Sequence, residues 1–279
     1  MNKSLRTFVL GMGLLALFVL AGAQYLPEDL AQDAKWEEFL KTAPIVGQVQ
    51  MGGPESVTNP WRLTLEKDGI KHDGLWKDIE DRVARYPDSW KWEIAAYKVD
   101  RLIGLNMVAP TVERRFNEKR GSLQLWIESE MNLKKKTDDN IKMPSYKVFY
   151  WNRATYLERA FDNLIANDDR QMTNIRITKD WRMYLIDHSR SFRTSSKFTK
   201  DLIYRKGGKE GDKLMSELPQ PFVEKLRSLT DTDIRAAVGE YLTDEEITSV
   251  LKRRDLILKE VDRLIKLNGE DKVLYNLDK

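Results

Sequence analysis

An unbroken apolar and glycine run of about 15 residues, Phe8 to Gly22, follows Lys3 and Arg6 and closes on the small residues Ala21-Gly22-Ala23. It falls short of the roughly 20 residues that a helix needs to cross the hydrocarbon core, so it predicts a signal peptide, residues 1–23, cleaved after Ala23. Beyond it the pattern becomes periodic. Leu30, Ala34, Trp36 and Phe39 recur among acids at helical spacing from Pro27 to Leu40, and Pro44 ends that segment, which predicts an outer brace helix. A turn-rich stretch, Val49 to Asn59, precedes strict alternation at Trp61, Leu63 and Leu65. Lys67-Asp68-Gly69 then predicts a hairpin whose return strand carries Leu75 and Trp76 and presents Lys77. Asp88 or Ser89 can cap a helix with apolar positions Trp92, Ala95, Ala96, Val99, Leu102 and Ile103, ended by Gly104. Glu93 lies about 60° around that helix from Ala96 and so borders its buried stripe. A second hairpin is expected from Thr111, with a turn around Asn117 to Gly121 and a strand from Ser122 to Glu128.

The second half reads as helical apart from one hairpin at its heart. Ala154, Leu157, Ala160, Phe161, Leu164 and Ile165 keep helical spacing from Trp151 to Asn167 and run into the polar Asn167-Asp168-Asp169-Arg170. Asn174 to Thr178 and Trp181 to Ile186 read as short strands around Lys179-Asp180, with Asp187 just past the second. Three helices follow, from about Pro219 to Thr230, Thr232 to Tyr241 and Asp244 to Leu267, the last opening on the capping box Thr243-Asp244-Glu245-Glu246. Internal repeats are absent, and only the loop Thr194 to Lys213 has reduced complexity.

Composition narrows the chemistry by exclusion. With 41% hydrophobic residues in 279, the chain can bury one large domain or two lobes around a cleft. Its 47 basic and 44 acidic residues nearly cancel, so the balance gives no argument for nucleic acid or a membrane surface as partner. Removing Lys3 and Arg6 with the signal takes the net charge from +3 to about +1. The absence of cysteine rules out disulfides, thiolate metal sites, a cysteine nucleophile and a lipoprotein anchor. His72 and His188 are the only histidines; neither has a carboxylate at ligand spacing on a helix, nor lies in a serine-hydrolase motif.

The remaining polar clusters have a recognisable order. Leu164-Ile165-Ala166-Asn167-Asp168-Asp169-Arg170-Gln171-Met172-Thr173-Asn174-Ile175, followed by Tyr184-Leu185-Ile186-Asp187-His188-Ser189-Arg190-Ser191-Phe192, resembles the catalytic and metal-binding loops of the atypical kinases. That superfamily includes phosphatidylinositol 3- and 4-kinases, HipA-type kinases and the secretory-pathway kinases of animals. The resemblance covers roughly Val49 to Leu267 and implies an exported, bacterial-type member with an α+β, two-lobed protein-kinase-like fold. Its N-lobe, residues 24–128 with the brace helix, would be a small antiparallel sheet with one helix. Its C-lobe, residues 129–279, would be mainly helical and carry the catalytic loop. By the same resemblance Asp169 is the base, Asn174 and Asp187 bind metal, Lys77 contacts nucleotide phosphate, Glu93 is its helix partner, and Val49 to Asn59 is the flap over the phosphates. Two departures stand out. Gln171 occupies a position where several relatives have histidine, and an amide cannot take up a proton. His188-Ser189 replaces the Phe-Gly that follows the metal aspartate in many kinases.

The chemistry suits these residue types. Phosphoryl transfer needs charge neutralisation at the phosphates and an oriented acceptor hydroxyl, with little covalent work for the protein. The expected activity is magnesium-dependent transfer of phosphate from ATP or another nucleotide, with Mg2+ or Mn2+, to a protein, lipid or sugar hydroxyl. The alternative is an exported pseudokinase that binds or scaffolds; a structural envelope protein would not require this residue set. The expected location is periplasmic or secreted, with membrane contact only through export or an uncleaved signal. Expressed in an exporting cell, the full chain should mature to a form beginning at Gln24 by intact-mass measurement; recovery of Met1 to Lys279 in the membrane would mark an anchor instead.

Overall fold

The computed structural model describes residues 25–52, 59–82, 86–205 and 215–276. The expected signal segment, the middle of the expected flap and part of the loop Thr194 to Lys213 lie outside the described residues. Among the described residues no helix is long and apolar enough to cross a membrane.

A five-stranded antiparallel sheet forms the N-terminal half. Its strands are β1 (Ile45–Gln50), β2 (Trp61–Lys67), β3 (Ile70–Lys77), β4 (Thr111–Phe116) and β5 (Lys119–Leu125), in the spatial order β1-β2-β3-β5-β4. Alternation of side chains puts Leu63, Leu65, Trp76, Val112, Leu123 and Leu125 on one buried face. Helix α1 (Asp33–Thr42) covers that face with Phe39 and Leu40, as expected of a brace. It is shorter than the apolar spacing predicts, since Pro27–Leu30 forms a separate turn ahead of it. Arg114 on β4 fixes its end by donating to the carbonyls of Leu40 and Ala43 at 2.6 and 2.7 Å, which supplies partners to groups that a helix terminus leaves open.

Both expected hairpins close with two-residue turns. Asp68 and Gly69, with φ of 52° and 76°, link the paired residues Lys67 and Ile70. Asn117 and Glu118, at 48° and 64°, do the same between Phe116 and Lys119. Left-handed residues at both central positions give a turn whose twist matches the flanking strands. The second turn is therefore tighter than the sequence predicts, and β5 begins three residues earlier than Ser122. The reason is Gly121, which is a strand residue and not part of the turn. A Cβ there would stand 2.3 Å from the Lys77 carbonyl oxygen and 2.7 Å from the Trp76 ring, so the missing side chain is what lets β3 and the Trp76 indole lie flat against β5. Strand β1 is also absent from the sequence reading, because an edge strand with exposed Val46 and Val49 has no buried alternation to reveal it.

Helix α2 (Trp90–Leu102) follows the sheet's first hairpin and is capped by Ser89, whose hydroxyl accepts from the Lys91 N–H at 3.2 Å. Its apolar residues Trp92, Ala95, Ala96, Val99 and Ile103 join the core of the helical half. That core is built around α3 (Ser145–Ile165) and α6 (Asp244–Asn268), with α4 (Gln220–Ser228) and α5 (Asp231–Val238) against them. A small antiparallel sheet of β6 (Met131–Asn132), β7 (Ile175–Ile177) and β8 (Met183–Leu185) sits at the junction. Its strand β8 is tied to the chain entering β4, as the Leu185 N–H donates to the Met107 carbonyl at 2.9 Å.

Replacing Gly121 with Ala should lower the urea midpoint by an amount equivalent to about 1–3 kcal/mol, the usual cost of forcing atoms into a filled interior. An unchanged midpoint would show that β3 and β5 can part without loss.

Candidate active site

Lys77 ends β3 with its side chain buried, and two carboxylates converge on its ammonium. Glu93 Oε1 lies 2.5 Å from Nζ and Asp187 Oδ1 lies 2.7 Å from it. The residues come from a strand, the following helix and a loop 110 positions further on, so three separate segments meet at one cation. Burial opposes the charged lysine, but Asp187 and Glu93 together outweigh it and hold the ammonium above the ordinary lysine range. Burial likewise pushes Glu93 up, and Lys77 with the His188 edge of the site overcomes it, leaving the carboxyl well below the usual carboxylate range. Glu93 is thus fully buried, where its place beside the apolar stripe suggested a border position.

The chain around Asp187 is shaped to make these contacts. Asp187 has a φ of 63°, a left-handed conformation that aspartate tolerates better than most residues. The turn directs the next N–H, that of His188, to Glu93 Oε2 at 2.9 Å. One glutamate therefore clamps the lysine with one oxygen and the backbone after Asp187 with the other. His188 itself is fully buried with its ring edge-on to Phe161 at 5.8 Å, and its Nδ1 stands 3.7 Å from Glu93, too far for a hydrogen bond. Burial lowers its pKa and keeps the imidazole neutral.

The loop Asn167 to Asn174 begins where α3 stops. Ala166 takes the left-handed conformation at φ 51°, and the Asn167 N–H returns to the Asp162 carbonyl at 2.9 Å. Arg170 then turns inward and is buried, donating through Nε and Nη2 to both oxygens of Asp162 at 2.9 Å. Its Nη1 donates to the Ile186 carbonyl at 2.7 Å. A bidentate pair of this kind fixes orientation as well as distance. One guanidinium thus positions the loop that carries Asp169 against the residue preceding Asp187. The Asp169 N–H donates to Asn167 Oδ1 at 3.1 Å, and the Ile186 N–H donates to the Asn174 carbonyl at 3.0 Å. Asn174 is accordingly held next to the strand that delivers Asp187.

A divalent cation fits this donor set. Among the described residues no cluster of three or more His, Cys, Asp or Glu could cage a metal. Magnesium in nucleotide sites uses few protein oxygens, completed by phosphate and water. Asn174 Oδ1 receives only a long contact, from the Thr173 hydroxyl at 3.4 Å. The hydrogen bonds that Asp187 accepts from Lys77 and Ser189 both fall on Oδ1, so Oδ2 keeps its lone pairs for a hard ion.

Lys77 at the end of a strand of the five-stranded sheet, Glu93 on α2 and Asp187 in the loop after β8 thus meet at one point. The fold is kinase-like. The structure of hydra Fam20 with sugar superposes with a TM-score of 0.64 at 15% identity, covering 92% of this chain and 95% of that one. The Golgi casein kinase matches at a TM-score of 0.60 and 16% identity over 89% of this chain and 80% of its own, both free and with Mn/ADP bound. The Helicobacter pylori proinflammatory kinase CtkA matches at 0.50 and 12% identity, with 82% and 98% covered. No known family's sequence profile matches the chain, and no curated protein is similar to it in sequence.

Several residues at the site went unread in the sequence. Arg190 pairs with Asp169 Oδ2 and with Asp88 Oδ2, each at 3.2 Å. Asp88, weighed only as a helix cap, is buried and held by that arginine. Arg82 and Glu246 join two distant segments at 3.0 Å, and the Trp92 indole N–H donates to the same carboxylate at 2.9 Å. Long-range pairs leave no periodic signature.

Lys77→Met leaves Glu93 buried with no cation and should destabilise the fold by about 3–5 kcal/mol. The pH dependence should change sign. In the wild type Glu93 contributes stability above its unfolded value of about 4.3, lost as pH falls, while the Lys77 contribution is lost only as pH rises past about 10.4. In the variant the folded state retains a proton on Glu93 that the unfolded state releases, so stability should fall as pH rises from about 4.3. Urea titrations across pH check this, and Lys77→Met/Glu93→Gln should recover part of the loss.

Proposed function

We propose that this chain is an exported, metal-dependent phosphotransferase that moves the terminal phosphate of a nucleotide to a hydroxyl group. The observation that supports it most is the three-way contact of Lys77 with Glu93 and Asp187, a buried cation held beside a partly exposed carboxylate, as a nucleotide-phosphate site needs. The crystallisation of one fold neighbour with Mn/ADP is in keeping with this choice of ligand. The sugar in another agrees with a hydroxyl acceptor. We read residues 24–128 and 129–279 as the two lobes, with the nucleotide between them.

In this reading Lys77 neutralises phosphate and Glu93 keeps it aimed. Asn174 and Asp187 hold Mg2+ or Mn2+, which supplies charge neutralisation across the phosphates when bound. Asp169 accepts the proton of the acceptor hydroxyl as that oxygen bonds to the terminal phosphorus. The bond from phosphorus to the bridging oxygen breaks, and the nucleoside diphosphate leaves with its electron pair. Gln171 donates to Asp169 Oδ1 at 3.5 Å and takes no proton. Export rests on the apolar segment Phe8 to Gly22 and its small-residue end. It places the site where free nucleotide is scarce in a bacterial envelope, so either the destination compartment supplies the donor, or another phosphate compound is used, or the fold is kept for binding.

Asp187→Ala should abolish metal-dependent nucleotide binding, because the remaining ligand is a neutral amide. Asp169→Ala should leave binding nearly intact while slowing transfer by about 100-fold or more, because the base acts on the acceptor. Thermal shift with ADP and Mn2+ reads the first effect, and labelled-phosphate transfer to acceptors or to the protein itself reads the second. Binding without transfer in the wild type would favour the scaffold reading, and binding of neither would leave a likeness of fold alone.

A further inference from the structure

Arg190 stands three residues after Asp187 with a partly exposed side chain. Its Nη1 meets Asp169 Oδ2 and its Nε meets Asp88 Oδ2, both at 3.2 Å. Nothing in the phosphotransfer scheme above uses this residue. Its own placement is nonetheless over-determined. The carbonyl of Arg190 accepts from Arg193 Nε at 3.1 Å. The preceding residue, Ser189, gives its carbonyl to the Ser89 N–H at 2.8 Å. Asp88, the anchor on the far side of the guanidinium, is buried and directly precedes the capping residue of α2.

Two different nitrogens of one planar group therefore join two carboxylates from separate segments of the chain. A guanidinium can hold both at a set separation and angle, whereas an ammonium on a flexible stem cannot. As a plain surface ion pair the contact would be worth about 0–1 kcal/mol and would leave the rate untouched. Its location on the proposed base argues for more. With Oδ2 occupied by Arg190, the oxygen of Asp169 that can face an acceptor hydroxyl is Oδ1, whose other contact is the long one from the exposed Gln171. Rotating that carboxylate out of line would misplace the base by an ångström or more, which typically costs about 100-fold.

We propose that Arg190 is the positioning residue of Asp169, fixing which carboxylate oxygen meets the acceptor and referring that orientation to the start of helix α2 through Asp88. This rests on the phosphotransfer reading, since Asp169 is a base only there. The helix start that anchors Arg190 is the same helix that carries Glu93. Lysine alignment and base alignment are thus set from one element.

The test compares wild type with Arg190→Ala, Arg190→Lys and Asp88→Asn. Nucleotide affinity is measured by tryptophan fluorescence with ADP and Mn2+, and turnover by ADP release from ATP and Mn2+ with water as acceptor. Arg190→Ala should lower turnover by about 100-fold with the ADP affinity within twofold. Arg190→Lys should not recover it, and Asp88→Asn should give a smaller loss in the same parameter. Added methylguanidinium should restore part of the Arg190→Ala rate and none of that of Asp169→Ala. A rate for Arg190→Ala within twofold of wild type overturns the proposal. So does an ADP affinity that weakens in step with the rate, which would make Arg190 a phosphate ligand. Crystal structures of the same proteins decide the matter separately from turnover. If wild type proves inert, the phosphotransfer reading fails, while the Arg190→Ala structure still reports whether Asp169 leaves its orientation; an unmoved Asp169 overturns the positioning role.

Discussion

Everything near the cleft is organised by the cost of putting the Lys77 ammonium out of reach of water. A lone buried cation of that size would cost several kcal/mol, and it would shed its proton before the fold accepted it. Glu93 and Asp187 make the charged form the stable one, but they do so only if strand β3, helix α2 and the loop after β8 are all in place. Without β3 Glu93 would be a buried charge with no cation, and without either other segment Lys77 would keep only one of its two carboxylates. The site is therefore assembled as a unit, and its geometry follows from electrostatic necessity as much as from hydrophobic packing.

A second buried cluster lies behind the first and obeys the same rule. Arg170 is neutralised by Asp162, and burial together with Asp162 pushes the neighbouring Glu158 carboxyl well above the usual carboxylate range. The two clusters meet at Ile186-Asp187: Arg170 holds the carbonyl of the first, Lys77 the carboxylate of the second. The left-handed turn at Asp187 is kept in that conformation from both sides, which is how a locally unfavourable backbone persists at a site.

How much of this could be read in the chain depended on the range of the interaction. The α+β, two-lobed arrangement was legible because strands announce themselves by alternation and helices by a longer period, as at Leu63 and Leu65 or at Ala160, Phe161 and Leu164. The capping box at Thr243 and Glu246 was equally plain, since it is local. The partnership of Lys77 and Glu93 came from the family resemblance and not from spacing, and the structure brings them to 2.5 Å. Gly121 was misplaced into a turn because a glycine signals both turn and close approach, and only the Trp76 ring distinguishes them. Asp88, Arg190, Arg82 and the second role of Glu246 were hidden for one reason. Their pairs span 21 to 164 residues, and a charged side chain looks the same in sequence whether it meets water or a distant partner.

Glu246 carries an implication for motion. Its carboxylate caps its own helix at the Thr243 N–H, receives Arg82 from the segment after β3, and receives the indole of Trp92 from α2. Helix α2 is thereby riveted to the helical half, in which its apolar face is already embedded. That helix cannot swing outward without exposing both the indole and a carboxylate that it helps to satisfy.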